Sequence, residues 1–275
     1  MKLPELKETA IEAALAAGQI IKSYMDEDIR VEEKNGGTNY ASQVVTKVDK
    51  ECEEEILSYL YPTCKEYNLA LLTEETEDDG SRFEKDYFWC VDPIDGTLAF
   101  INKEPGFSVS IALVSREGEP VIGVIYDPST DTIYHGAKGQ GVYKNEVPWD
   151  IPEPNEYLTH VTDKPLEHTS RPGDLKQLLH DKVDELNLSG ITVIQGGGSV
   201  LNAINVLKNP PSSMIKHPKK EIGGGSIWDF ASTACLFQEL GYRASNFEGG
   251  PLDLNRKDST FMHHEGIYYE CVPGK

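Results

Sequence analysis

Phe88-Trp89-Cys90-Val91-Asp92-Pro93-Ile94-Asp95-Gly96-Thr97-Leu98-Ala99-Phe100 sets the frame for the remainder of the chain. An apolar run rich in aromatic and β-branched residues ends in two aspartates three positions apart. A proline splits them, and Gly-Thr and an apolar-periodic segment follow at once, so the pattern predicts a strand, a charged turn and a helix start. Pro93 has no amide donor and biases Asp92 toward extended backbone, which places the end of the strand at Asp92. Two carboxylates this close repel unless a cation lies between them, and oxygen ligands on a turn suit a hard divalent ion such as Mg²⁺. Gly96 and Thr97 would offer free amides at a helix N-terminus, which attracts phosphate. Asp-Pro-x-Asp-Gly also spells an ordinary surface turn, so the motif alone leaves both readings open.

Working outward, a chain of 275 residues with 39% hydrophobic content can bury the core of one large domain or of two closely joined ones. Its 46 acidic and 26 basic residues give a formal charge of −20. That balance argues against a nucleic-acid polymer or an anionic membrane as partner, since either needs a basic patch. A small anionic substrate is compatible with it, because a bound metal inverts the local field. No apolar run reaches membrane-spanning length, and residues 1–24 alternate charge with Ala, Ile and Leu at helical spacing rather than forming a signal peptide, so a cytoplasmic protein is expected. The five cysteines are scattered, without Cys-x-x-Cys, and read as free thiols rather than a disulfide or zinc framework.

Residues 4–25 carry an amphipathic helix, and residues 26–42, with Asn35-Gly36-Gly37, a loop or hairpin turn. Residues 44–49 run into a helix over roughly 50–61 that ends at Pro62, with Asp49 at or near its N-cap, where capping alone would explain the residue. The strand 69–72 ends in Thr73-Glu74-Glu75, and the acidic run Glu77-Asp78-Asp79 reads as a solvated face. Residues 107–147 predict an antiparallel meander. The prolines Pro148, Pro152 and Pro154 mark the expected boundary between an N-terminal α+β half, 1–150, and a smaller α/β half, 151–275. In the second half, strands at 158–162 and 191–194 alternate with helices at 173–186 and 200–207. The basic loop Lys216-His217-Pro218-Lys219-Lys220 stands out against the acidic background, and Trp228-Asp229 opens an apolar helix that runs to about residue 240. The expected fold class is an α/β sandwich of alternating α and β layers, with a largely antiparallel sheet in the first half.

Glu74-Glu75 after a strand, Asp92-Pro93-Ile94-Asp95-Gly96-Thr97 and Trp228-Asp229 resemble, in order and local context, the inositol monophosphatase superfamily of Mg²⁺-dependent, lithium-sensitive phosphatases. The Val45-Thr46-x-x-Asp49 run and Gly249-Gly250-Pro251-Leu252-Asp253-Leu254 extend the resemblance over roughly residues 45–255. The resemblance implies two or three Mg²⁺ ions: one held by Glu74, Asp92 and the Ile94 carbonyl, a second by Asp92, Asp95 and Asp229, and a weaker third near Glu74. It further implies Asp49, Glu74 and Thr97 as catalytic residues that orient and activate water, and the Gly96 and Thr97 amides as the phosphate cradle. Metal ions suit such chemistry because they acidify a bound water and neutralise attacking and leaving oxygens.

Within the superfamily the basic loop looks most like that of 3'(2'),5'-bisphosphate nucleotidases, which implies Ser199, Lys216 and Lys220 as substrate contacts, the lysines reading a second phosphate. The first expectation is therefore release of the 3'-phosphate of adenosine 3',5'-bisphosphate. The alternative is an inositol or sugar monophosphatase, favoured if Glu221 rather than the lysines faces the pocket. A non-catalytic regulator on the same scaffold is the reading from another class. The Ser-Arg-Ser-His segment of many nucleotidases is absent at Val161-Thr162-Asp163-Lys164, and Leu98-Ala99 replaces their usual Lys-Glu or Lys-Gly. The superfamily implies a monomer or a homodimer.

Overall fold

The computed structural model describes residues 1–25, 31–33 and 44–274, and for 31–33 and 44–46 the backbone alone. The Asn35-Gly36-Gly37 turn expected from sequence lies outside the described residues. The chain opens with α1 (Leu3–Tyr24), a two-stranded antiparallel ribbon of β1 (Val31–Glu33) and β2 (Val44–Thr46), and α2 (Lys47–Tyr67). A seven-stranded sheet follows: β3 (Ala70–Thr73), β4 (Tyr87–Asp95), then, after the short α3 (Thr97–Ile101), β5 (Ser108–Ser115), β6 (Pro120–Asp127), β7 (Thr132–Ala137), β8 (Val142–Lys144) and β9 (Val147–Pro148). Neighbours in sequence are neighbours in the sheet, and every pairing is antiparallel except β3 with β4.

The second half contains β10 (Tyr157–Thr162), α4 (Pro172–Leu186), β11 (Gly190–Gln195), α5 (Ser199–Lys208), β12 (Ser212–Lys216), α6 (Trp228–Leu240), β13 (Arg243–Ser245) and β14 (Ile267–Cys271). Its sheet runs β11-β10-β12-β14-β13, parallel around β10 and antiparallel from β12 onward. Strands β12, β13 and β14 were not expected from sequence. Ser212-Ser213-Met214-Ile215-Lys216 has no alternation to read, because its polar residues are buried with the apolar ones.

β4 explains the layering. Trp89 and Val91 pack with Leu6, Ala10, Ile56 and Leu60 of α1 and α2, whereas Phe88 and Cys90 pack with Phe230, Ala234 and Phe237 of α6. A strand covered on both faces reads as a continuous apolar run. The core behind Phe88 continues through Ala203 and Val206 of α5 to Met214 and Tyr269 of the second sheet. Leu175 and Leu179 of α4 cover the outer face of that sheet against Leu158 and Ile215. The layers are thus helices α1 and α2, sheet, helices α5 and α6, sheet, and helix α4: the expected alternating sandwich. Among the described residues no helix is long and apolar enough to cross a membrane.

Three local expectations are corrected. β4 passes through Pro93 to Asp95, because the β4–β5 register shifts between Asp92 opposite Ser110 and Asp95 opposite Ser108. A bulge at this point leaves no regular ladder position for the missing amide to spoil. α2 starts at Lys47 and continues past Pro62 to Tyr67, with Asp49 in its first turn. Packing outweighs the lost helical bond there, since Thr63 is buried and its hydroxyl receives the Trp89 indole N–H at 2.9 Å. Asp78 is not simply solvated: it accepts Arg82 Nε at 2.8 Å, and the guanidinium, 2% exposed, also bonds Asn255 Oδ1 and the Arg256 carbonyl. Removing one member of such a set strands the others, so Arg82→Met is expected to cost about 3 kcal/mol in urea unfolding. A loss under about 1 kcal/mol would mean the latch is dispensable.

Candidate active site

The three aspartates singled out by the sequence converge where the end of β4 meets the start of α6. One carboxylate oxygen from each of Asp92, Asp95 and Asp229 lies within 4.8 Å of the other two. Asp92 and Asp95 come from the bulged end of β4, which turns both side chains to one place, and Asp229 comes from the first turn of α6. Gly96 follows at φ +83°, a left-handed conformation that lets β4 turn directly into α3.

Burial raises the pKa of all three carboxylates, and neighbouring charges raise those of Asp92 and Asp95 further. Burial raises the Asp92 pKa well above the usual carboxylate range, and the negative charges of Glu74, Asp95, Asp229 and Asp49 push it further. Asp95 is likewise raised, by burial and then by Asp229, against the pull of two amide donors. Those donors are Ser199 N at 3.0 Å and Val200 N at 2.9 Å, so Asp95 reaches across to the N-terminus of α5. Asp229 is raised by burial, opposed by the Ser226 amide and by Lys216. Asp92 Oδ1 is buried and has no hydrogen-bond partner among the described residues. A crowded, buried, oxygen-only set with an orphaned lone pair is short of positive charge, and a hard divalent ion fits it.

Around this centre, the Thr97 hydroxyl lies 2.9 Å from the Ile94 carbonyl and 3.3 Å from Asp49 Oδ1, so β4, α3 and α2 meet at one group. Glu74, just beyond β3, bonds the Val91 carbonyl through its amide at 3.2 Å, and its charge is the neighbouring one that raises Asp92 most. Its backbone beyond that point rests on Glu53 of α2, whose carboxylate accepts Glu75 N at 3.0 Å and Thr76 Oγ1 at 2.5 Å. Glu53 was missed at the sequence level, hidden in the run Glu53-Glu54-Glu55; its four-residue spacing from Asp49 is the signal that could have found it.

Of the basic loop, Lys216 ends β12 and points inward. Its ammonium contacts Asp163 at 3.0 Å, Ser199 Oγ at 3.0 Å and the Gly224 carbonyl at 3.2 Å. Burial alone would lower its pKa, but the carboxylates of Asp163, Asp229 and Asp95 together hold it raised. Lys220 is exposed, as is Glu221. Lys219, absent from the expected contacts, lines a cavity with Lys164, Lys216, Asp163, Thr162 and Thr169. Its pKa is lowered by burial and by Lys164. The cavity adjoins the aspartates through Lys216 and Ser199.

The sequence profile of the Inositol monophosphatase family matches residues 2–271. An inositol-1-monophosphatase of Bacillus subtilis is 33% identical over 270 residues, covering 96% of this chain and 94% of that protein. A fructose-1,6-bisphosphatase/inositol-1-monophosphatase of Aquifex aeolicus is 37% identical over 159 residues, a match spanning 58% of this chain and 57% of that protein. The crystal structure of CysQ from Bacteroides thetaiotaomicron, a bacterial member of the inositol monophosphatase family, superposes with a TM-score of 0.75 at 22% identity, covering 97% of each chain.

Proposed function

The chain belongs to the inositol monophosphatase family and is a Mg²⁺-dependent phosphatase, and from that premise we propose that it removes a phosphate from a small bisphosphorylated nucleotide, adenosine 3',5'-bisphosphate being the case to test. The observation that carries the reading is the cavity beside the aspartates, lined by Lys164, Lys216 and Lys219 with Asp163 as the carboxylate among them. In a chain of net charge −20 such a local excess of cation is what a second phosphate requires. Lys216 is already balanced by Asp163, so Lys219 and Lys164 are the free reach of the pocket in this reading, and exposed Lys220 a contact at most from its rim.

In this reading Glu74, Asp92, Asp95, Asp229 and the Ile94 carbonyl would hold two or three Mg²⁺ ions. When bound, the metal supplies positive charge to the phosphoryl oxygens and acidity to water. The chain's own groups do the rest. The single Thr97 proton has two acceptors, Ile94 O and Asp49 Oδ1. Were the Ile94 carbonyl to hold metal, Asp49 Oδ1 would be the acceptor left for the Thr97 proton, and the Thr97 oxygen could then accept from the attacking water. Glu74 accepts that water's proton, the Gly96 and Thr97 amides hold the phosphate oxygens, and Ser199 borders the leaving group.

Phosphate release from adenosine 3',5'-bisphosphate and from inositol 1-phosphate, measured side by side, tests the assignment. Lys219→Ala is expected to lower kcat/KM for the bisphosphate about tenfold and to leave inositol 1-phosphate unchanged, the loss of one charge-assisted contact. A wild type that prefers inositol 1-phosphate, with the variant indifferent, would move the chain to the monophosphatase reading that the names of its curated relatives favour.

A further inference from the structure

Asp49 and Glu53 stand one helical turn apart on α2, 2% and 4% exposed, whereas Glu54 between them and the next turn is exposed. Among the described residues no lysine or arginine pairs with Glu53. A buried carboxylate close to a cluster of like charges is costly, and folding alone would be served as well by an apolar residue at this helical position. What Glu53 does instead is grip the chain immediately after Glu74: Oε2 accepts the Glu75 amide at 3.0 Å and Oε1 the Thr76 hydroxyl at 2.5 Å. Thr76 is drawn back by its own amide, which donates to Thr73 Oγ1 at 3.3 Å. On the other side the Glu74 amide is tied to Val91 of β4 at 3.2 Å. Glu74 is therefore clamped between β4 and α2, on the same helix that presents Asp49 to Thr97.

We propose that Glu53 is a positioning residue for the metal centre, aiming Glu74 at Asp92 by fixing the backbone of Glu75 and Thr76. The inference rests on Glu74 being a metal ligand, as assigned above. Both donors point into Glu53, so two acceptor oxygens are needed. A glutamine offers one and turns an N–H₂ toward a donor, while an aspartate is a methylene short. The clamp sets direction rather than fold, so its loss shows first in metal affinity.

Mg²⁺ titrated calorimetrically into the full-length, EDTA-stripped protein, without substrate, tests this directly. Glu53→Gln is expected to weaken Mg²⁺ binding about tenfold, the scale on which groups that orient metal ligands act. Its melting temperature without metal should stay close to wild type, and kcat should recover at saturating Mg²⁺. Thr76→Val, which removes one of the two donors, should weaken binding by a smaller factor, and it decides the matter if Glu53→Gln does not fold. Unchanged Mg²⁺ affinity in the folded variants overturns the proposal. Glu74→Gln separates the two layers of the argument. If it binds Mg²⁺ as wild type does, the ligand assignment is what fails; if it loses affinity while Glu53→Gln and Thr76→Val do not, only the positioning role is wrong.

Discussion

Asp92→Asn is expected to reduce kcat by about a thousandfold or more and, in the absence of metal, to raise the melting temperature. The two effects have one cause. Asp92 is the most crowded of the carboxylates, its proton affinity raised by burial and by Glu74, Asp95, Asp229 and Asp49 together. Asparagine keeps the volume, removes the repelling charge, and removes a carboxylate that would hold metal in the proposed site. The sign of the pH dependence follows. An unfolded aspartate titrates near about 3.9, while in the fold its pKa is higher, so the folded state holds the proton more tightly. Stability from this group is present below about pH 4 and is lost as pH rises through the folded pKa. Metal-free wild type should therefore melt progressively earlier above pH 4, and the gap to Asp92→Asn should widen from pH 5 to pH 8. Mg²⁺ should close the gap by stabilising wild type more than the variant. Thermal melts with EDTA and with Mg²⁺ check both, and equal stabilisation of the two proteins by Mg²⁺ would remove Asp92 from the metal centre.

Gly198→Ala is expected to cost about 2 kcal/mol of stability and about a hundredfold in kcat. Gly198 has φ −65° and ψ 157°, ordinary backbone for alanine, so conformational strain is not the reason. Alanine in a permissive site usually stabilises, by up to about 1 kcal/mol through the unfolded chain. Here an added Cβ would sit 2.0 Å from Asp95 Oδ2. The carboxylate must leave the Ser199 and Val200 amides or the helix must retreat. Hydrogen bonds to a charged group are worth roughly 1.5–3 kcal/mol, and a displacement of about 1 Å at a reacting centre costs on the order of a hundredfold. Gly173, in the first turn of α4 with open space around its Cβ, is the internal control: Gly173→Ala should be neutral or stabilising. Urea unfolding and steady-state kinetics of the pair separate the contact from the backbone. Parity between the two variants would mean that Asp95 is not held by α5 in solution.

The elements legible in the chain were those with local grammar. The α1 stripe, the meander over β5 to β8 and the two-aspartate turn each follow from periodicity or turn chemistry among near neighbours. That grammar also marked Asp92, Asp95 and Asp229, which the fold brings within 4.8 Å. It misplaced the end of β4 and the end of α2 because proline rules assume an isolated element, and here a bulge and a buried Trp89–Thr63 contact override them.

Much of what two distant segments decide by meeting stayed out of reach of the sequence. Asp95 and Ser199 are 104 residues apart, and only the folded chain turns the α5 amides toward that carboxylate. Glu53 lies in the run Glu53-Glu54-Glu55, and only the packing of α2 on the sheet buries it while Glu54 stays exposed. Lys216 was expected to read a second phosphate, yet only the fold brings Asp163, on the strand-end beside β12, within 3.0 Å of its ammonium. The physical reason is common to all three. Periodicity reports which face of an element is buried, whereas the energy of a charge depends on which dipoles and counter-charges are carried to it by the other elements, and those are set by packing.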